Sequence, residues 1–271
     1  MRVRFWGARG SIAVSGEQYR AAGGNTSCVE VEHDGYRLIL DGGTGLRGLG
    51  ESLGFAPLEA TLLFSHFHWD HIQGVPFFTP AYHPDSELTL VGVAHETTLR
   101  EALALQMQPP GFPVGLEMLE GARHFVDIRA GEWIELGPFR VLPLEQPHPN
   151  GVVAYRICVA DRSLVYATDV EHGGEVDPAL VRLARDTDLL IHDAQYHWAE
   201  YSGQVGPPKK GWGHSSWLEA VCAAQRSGAR RLALFHHDPA RDDAGVADME
   251  SLARERFEGA FAAREREALT L

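Results

Sequence analysis

ATLLFSHFHWDHIQG, residues 60–74, sets three histidines and an aspartate directly behind an apolar run. Thr61–Phe64 reads as a strand covered on both faces, because a short apolar run bounded by polar residues fits that setting. The groups that follow, His66, His68, Asp70 and His71, are costly to bury unless each has a partner. On extended backbone alternate residues point the same way, so His66 and His68 converge on one point. Asp70 and His71 then face a second point close by. Imidazole nitrogen and carboxylate oxygen suit Zn²⁺ and its neighbours in the series. A pair of ions needs more ligands than these, so the pattern demands further His or Asp at strand ends.

The chain supplies them. His148 follows the apolar stretch ending at Leu144, Asp169 follows Leu164–Thr168, and His236 follows Leu232–Phe235. Each is an isolated polar residue closing a hydrophobic strand, the pattern of a site built along one edge of a sheet. His237 adjoins His236, and His236 is preferred because it comes directly off the strand. His33, His83, His95, His124, His172 and His197 lack such a setting and are read as ordinary loop or core residues.

The 271 residues, 44% hydrophobic and 23% charged, permit a sizeable core. A formal net charge of −13 argues against a protein that grips long nucleic acid through its phosphates. Small anionic substrates stay open, because bound metal inverts the local field. Met1–Gly7 shows no apolar segment with a small-residue cleavage site, and no run is long and apolar enough for a bilayer. Cys28, Cys158 and Cys222 are odd in number and far apart, which suits reduced, buried thiols. The expectation is a cytoplasmic protein with no membrane partner.

Strands are predicted at Arg2–Phe5, Cys28–His33, Tyr36–Asp41, Thr61–Phe64, Leu88–Val91, Arg123–Ile128 and Trp133–Leu136. Further strands follow at Phe139–Leu144, Val152–Val159, Leu164–Thr168, Leu189–His192 and Arg231–Phe235. Gly42–Gly54 reads as a glycine-rich turn entering a helix, with other helices at His95–Met107, Pro178–Arg185 and Ser216–Ser227. A last helix runs from about Asp243 to the end. This order predicts two sheets covered by helices on their outer faces. Ser216 and Glu219 have capping-box spacing and Gly228 is placed to end that helix. His214 therefore stands just before a helix N-terminus.

HFHWDH followed by a later His, Asp and His resembles the metallo-β-lactamase fold superfamily, over nearly the whole chain. The resemblance implies the α/β class, a four-layer αββα sandwich, and a single domain over residues 1–271 with a dinuclear site at one edge of the sheets. It implies that His66, His68 and His148 hold one ion, that Asp70, His71 and His236 hold the other, and that Asp169 bridges them. The two divalent ions would be Zn or Mn, with Fe a further option.

Leu190-Ile191-His192-Asp193-Ala194 and Gly213-His214-Ser215-Ser216 resemble the HEAT-like and GHS motifs of the RNase Z and phosphoribosyl cyclic phosphodiesterase branch. There an acidic residue pairs with the GHS histidine, which assists the leaving group, and the matching positions are Asp193 and His214. Phe5–Ser11 with Gly24–Cys28 also resemble bacterial members of this branch. RNase Z proteins end their last ligand motif with Ser and Arg-Tyr, whereas this chain reads His236-His237-Asp238-Pro239. It also has no Gly/Pro-rich basic arm for tRNA, so tRNA processing is demoted.

The expected activity is a metal-dependent phosphodiesterase acting on a small cyclic or diester phosphate through a metal-bridged hydroxide. Asp70, His214 and Asp193 are the candidate catalytic groups. The positive end of the Ser216 helix disfavours a charged His214, and Asp193 with the substrate anion has to outweigh it. Two alternatives remain, a lactone or thioester hydrolase using the same metals and a non-catalytic, metal-stabilised regulatory domain. An iron redox role fits less well, since the resemblance leads one to expect a carboxylate where His68 stands. Gly42-Gly43-Thr44-Gly45 lacks the ending of a nucleotide loop, so Asp41 and these glycines are read as a turn beneath the metals. Pro76–Phe125 has three readings: a pocket wall, a subunit contact in a homodimer, or plain packing.

Overall fold

The apolar runs become the central strands of two seven-stranded sheets in the computed structural model, which describes residues 1–271. The first half of the chain builds β1 (Arg2–Gly7), β2 (Cys28–His33), β3 (Tyr36–Leu40), β4 (Glu59–Leu63), β5 (Glu87–Val93) and β6 (Ala122–Ile128). Helices α1 (Gly45–Leu53), α2 (Trp69–Ile72) and α3 (Leu99–Gln106) are interspersed. The second half builds β7 (Ile134–Leu136), β8 (Phe139–Gln146), β9 (Val152–Val159), β10 (Arg162–Ala167), β11 (Leu189–Asp193), β12 (Leu232–Phe235) and β13 (Ala260–Ala262). Its helices are α4 (Pro178–Leu183), α5 (Trp198–Tyr201), α6 (Trp217–Ser227) and α7 (Asp243–Arg256), and β14 (Ala268–Thr270) returns to pair with β1. The sheet orders are β14-β1-β2-β3-β4-β5-β6 and β13-β12-β11-β10-β9-β8-β7.

Alternate residues of the central strands serve different cores, which is why those strands read as continuous apolar runs rather than as alternating ones. Leu38, Leu40, Leu63, Leu164, Tyr166, Ile191, Ala233 and Phe235 pack between the sheets. Ile39, Leu62 and Phe64 face α1 and α3 on one outer side, and Val165, Leu190, Leu232 and Leu234 face α4, α6 and α7 on the other. The result is four layers, αββα. No helix is long and apolar enough to cross a membrane.

Helix α6 shows how the outer layers are set locally. Ser216 Oγ accepts from Glu219 N–H while the Glu219 carboxylate accepts from Ser216 N–H, the reciprocal cap predicted from the spacing. Gly228 ends the helix at φ 71°. Trp217, Ala220, Val221 and Ala224 bury its inner face against the second sheet.

Two helix boundaries differ from the sequence reading. Helix α3 starts at Leu99 rather than His95, because Thr98 and Glu101 form a capping box there. The last helix stops at Arg256 instead of reaching the end. Ala260–Ala262 extends the second sheet beside β12, and Ala268–Thr270 closes the first beside β1. Alanine-rich sequence favours helix locally, and long-range pairing overrides that preference here.

Strands β3 to β6 are mutually parallel, as are β10 to β13. Open α/β sheets bind ligands beyond the carboxyl ends of such strands. At those ends stand Asp41 after β3, Ser65–His71 after β4, Asp169 after β10, Asp193 closing β11 and His236 after β12. Asp41, Asp169 and His236 all adopt left-handed backbone, with φ of 59°, 53° and 61°. Such residues are uncommon outside glycine, and they concentrate at functional sites where the surroundings over-determine them.

Candidate metal centre and acid pair

Every ligand proposed from the sequence reaches one cleft edge. Three side chains, His66, His68 and His148, meet on one side of Asp169, while Asp70, His71 and His236 meet on the other. Asp169 Oδ2 lies 3.7 Å from His66 Nε2 and 3.8 Å from His148 Nε2. Its Oδ1 lies 3.1 Å from His71 Nε2 and 3.2 Å from His236 Nε2. Asp70 Oδ2 is 3.4 Å from His71 Nε2 and 3.2 Å from His236 Nε2, and His148 Nε2 is 3.2 Å from His68 Nδ1. Ligands about 2.0–2.1 Å from a tetrahedral cation stand about 3.3 Å from one another, so these spacings suit such an ion.

The hydrogen bonds behind the rings support the same assignment. His71 Nδ1–H donates to Asp41 at 2.7 Å, His148 Nδ1–H to Gly213 O at 2.8 Å, and His236 Nδ1–H to Gln195 Oε1 at 2.9 Å. Ser65 Oγ is 3.1 Å from His66 Nδ1. Each of these bonds fixes a tautomer and turns the Nε2 lone pair toward the cluster. Buried His66 Nε2 and His71 Nε2 have no hydrogen-bond partner in the protein. Nitrogens left bare in this way are what a cation would satisfy, so the cluster is able to hold metal.

The charges are arranged accordingly. Burial opposes ionisation of Asp70 and Asp169, yet the neighbouring imidazoles hold both carboxyls below the usual range. Burial pushes His66 well down, and His148 down as well. His71 goes up despite its burial, because Asp169, Asp70 and Asp41 surround it.

Next to the ligands, His214 Nδ1 lies 2.9 Å from Asp193 Oδ2. Asp193 is fully buried and its other oxygen accepts Ser215 N–H and Gln195 N–H, so the pair is fixed from behind. The His214 ring stacks on His236 with centroids 4.9 Å apart and meets His148 edge-on at 5.4 Å. Burial and the start of α6 both work against a charged ring. The Asp193 carboxylate, aided by Asp169 and Asp70, outweighs them and pushes His214 up to about 9.

Residues 36–237 match the family described as a β-lactamase superfamily domain. The chain belongs to the β-lactamase superfamily. Ribonuclease Z of Haloarcula marismortui is 23% identical over 96% of this chain and 93% of its own length. The probable metallo-hydrolase YhfI of Bacillus subtilis is 26% identical over 83% of this chain and 88% of its own. The YhfI crystal structure, of a metallo-β-lactamase fold protein, superposes with a TM-score of 0.71 at 21% identity, covering 99% of this chain and 98% of that one. A diphosphatase of the PhnP family gives 0.72 at 19% identity, over 100% and 97%. These likenesses establish the metallo-β-lactamase fold.

Several residues that serve the site carry no assigned role in the sequence reading, which places Asp41 only in a turn beneath the metals. Asp41 is a buried hub that accepts from Ser65 N–H, Ser65 Oγ–H, His71 Nδ1–H and Tyr166 O–H, each at 2.7–2.8 Å. It carries the same signature as Asp169, an aspartate closing an apolar strand, and that signal was available. Gln195 behind His236, and Ser11, whose N–H donates to Asp70 Oδ2 at 2.7 Å, carry no such signal. Gly10 lets the loop approach, since a Cβ there would collide with the His236 ring. His95, set aside earlier, lines a cavity of about 230 Å³ beside His66 and His68 together with Phe67 and Asn150. His237 turns away, its Nε2 donating to Ala263 O.

Asp41→Asn leaves the buried donors around it with an amide in place of an acceptor-only group. The expected outcome is a loss of about 2–5 kcal/mol in unfolding free energy. Metal affinity is expected to fall about 10–100-fold as His71 loses its orienting carboxylate. Denaturant titration and competitive chelation measure the two effects separately.

Behind Asp193 a chain of neutral rings is assembled. His192 Nδ1–H donates to Asp193 O at 2.7 Å, so its Nε2 accepts from His172 Nε2–H at 3.0 Å. His172 Nδ1 in turn accepts from Asp177 N–H. Protonating either ring sets two donors against each other. Burial, reinforced by the facing His192, pushes His172 down to about 3, and burial lowers His192 too. The unfolded chain therefore binds more protons than the folded one below about pH 6.5. The contribution of His172 is complete above that pH and is lost as pH falls, by about 2 kcal/mol at pH 5. His172→Gln is expected to flatten the acid limb of stability against pH by about one proton, read from denaturant titrations at pH 7 and pH 5.

Proposed function

We propose that the protein is a metal-dependent phosphodiesterase acting on a small cyclic or diester phosphate. In this reading His66, His68, His148 and Asp169 hold one divalent cation, while Asp70, His71, His236 and the same Asp169 hold a second. Zinc and manganese are the ions that this nitrogen and oxygen donor set favours. When bound, the cations would supply Lewis acidity toward the phosphoryl oxygens and make water acidic enough to ionise near neutral pH.

The observation that carries the reading is the His214–Asp193 pair at 2.9 Å. A departing alkoxide needs a proton, and a general acid positioned for it is worth about 10²–10⁴-fold in rate. Asp193 fixes Nδ1 as the donor to its own carboxylate, which leaves Nε2 for the leaving oxygen. The push from Asp169 and Asp70 on His214 weakens once those carboxylates are neutralised by cations, so Asp193 remains the dominant partner. The ribonuclease Z relatives and the PhnP-family diphosphatase add support, since their names describe phosphoester chemistry.

The cavity of about 230 Å³ beside His66 and His68 suits a small substituent. A net charge of −13 disfavours long nucleic acid. The reading therefore takes residues 1–271 as one cytoplasmic domain with a small-molecule phosphoester as its partner. Metal analysis of purified protein, followed by assay on bis-p-nitrophenyl phosphate, cyclic nucleotides and acyl-homoserine lactones, tests it. Turnover of the phosphodiesters with two ions per chain supports the proposal. Turnover of the lactones alone replaces it with the carbonyl chemistry, and no turnover of any probe favours a regulatory domain.

A further inference from the structure

Five histidines make up the two proposed ligand sets around Asp169. Four of them, His66, His71, His148 and His236, have Nδ1 backed by Ser65, Asp41, Gly213 and Gln195 in turn. The fifth, His68, is turned the other way round. Its Nδ1 lies in the cluster, 3.2 Å from His148 Nε2, and its Nε2 lies 3.4 Å from Asn150 Oδ1. His68 stands at the N-cap of α2, yet its ring makes no capping bond, so nothing in that helix fixes it. The ring is half-buried and meets His66 edge-on at 4.4 Å and His148 at 5.0 Å between centroids. Asn150 is thus the hydrogen-bond partner of the one ligand ring that has no other support.

The backbone around Asn150 accounts for its reach. His148-Pro149-Asn150-Gly151 is a tight turn, closed by Gly151 N–H donating to His148 O at 3.0 Å. Proline at the second position and positive φ at the third are the pattern of a type II turn, whose third residue is usually glycine or asparagine. Asn150 has φ 63°. Glycine meets that backbone demand at no steric cost, and asparagine adds a side-chain acceptor. The turn therefore carries one ligand, His148, at its first position and the partner of another, His68, at its third. Proton placement agrees with this. A cation on Nδ1 leaves Nε2 to carry the hydrogen, so that nitrogen can only donate, and the amide oxygen is the acceptor it meets.

We propose that Asn150 is a positioning residue, whose amide oxygen holds His68 Nε2–H and so sets the affinity of the cation at His66, His68 and His148. Asn150 acts in this way under the two-cation reading given above, and on one ligand set alone. That set is the weaker of the two. It has a single carboxylate, Asp169, and its His68 and His148 are half-buried, whereas the other set adds Asp70 and is buried throughout. The rings of the buried set are also backed more closely, by Asp41 at 2.7 Å and Gln195 at 2.9 Å. A neutral acceptor at 3.4 Å, on the exposed Asn150, places the expected effect at the lower end of what outer-shell partners contribute.

Chelator titration of the zinc-loaded protein, with retained zinc measured by mass spectrometry, tests the proposal. Nitrogen NMR of the histidine rings, recorded along the titration, assigns each step, because the shift of a ring nitrogen reports whether it holds a proton, a cation or a bare lone pair. Wild-type protein is expected to release its ions in two steps, the first from the His68 side, with His68 carrying its proton on Nε2 throughout. Asn150→Gly keeps the turn and is expected to weaken the first step by about tenfold while leaving the second unchanged. Asn150→Asp, which keeps an acceptor in the same place, is expected to restore the first step. Equal affinities in wild type and Asn150→Gly, a loss shared by both steps, a single shared step in wild type, or a His68 proton on Nδ1 overturns the assignment. Zinc-loaded protein that shows these steps and hydrolyses no phosphodiester removes the proposed reaction and keeps the role of Asn150. Protein that holds no ion at His68 removes both.

Discussion

Asp169→Asn is expected to reduce turnover by more than about 10³-fold, beyond the loss from removing a single contact to developing charge. The reason is its place between the two halves of the cluster: one oxygen faces His66 and His148, the other His71 and His236. An amide of the same size keeps the left-handed backbone at φ 53°, which asparagine tolerates and alanine does not. Asparagine thus removes the charge without adding strain. Metal content by mass spectrometry is expected to fall from two ions per chain to one or fewer. Since a ligand bound to the folded state alone stabilises it by mass action, the rise in Tm on adding Zn²⁺ or Mn²⁺ is expected to shrink as well. A variant that keeps both ions and near-normal turnover would remove Asp169 from the bridging position.

His214→Ala is expected to act on rate without acting on metal. Its nitrogen contacts Asp193 and its ring packs on His236 and His148, but it stands outside the two ligand sets that flank Asp169. Loss of the proton donor costs about 10²–10⁴-fold when the leaving group is an alkoxide. With p-nitrophenolate, which departs without a proton, the loss is expected to be much smaller. That dependence on the leaving group separates an acid from a residue that merely shapes the site. Asp193→Asn is expected to follow the same pattern, since the amide no longer holds Nδ1–H as a carboxylate does. An equal loss on both leaving groups would assign His214 a structural part.

The cluster of donors was legible because polar groups of this kind punctuate strands. HFHWDH concentrates its donors in one short stretch, and His148, Asp169 and His236 each interrupt the sequence where an apolar run stops. Asp41 bears the same mark and is read only as part of a turn beneath the metals, although it also orients His71. The residues acting through the backbone, such as Ser11 N–H and Gly213 O, leave no trace in residue type. The helix boundaries failed for a different reason: the segment after Arg256 is locally helical in composition, and its strands exist only because β12 and β1 offer open edges.

The sequence by itself determined twelve of the fourteen strands, the expectation of two sheets covered by helices and the identity of the clustered donors, since those follow from hydrophobic period and from the cost of burying unpartnered polar groups. Only the tertiary structure decided which nitrogen each histidine presents, that Asp169 reaches both halves of the cluster, and that Asp193 is fixed from behind against His214. Those facts depend on distances between segments far apart in the chain. Side-chain chemistry is local, whereas the direction in which a lone pair points is set by whatever the fold places behind it.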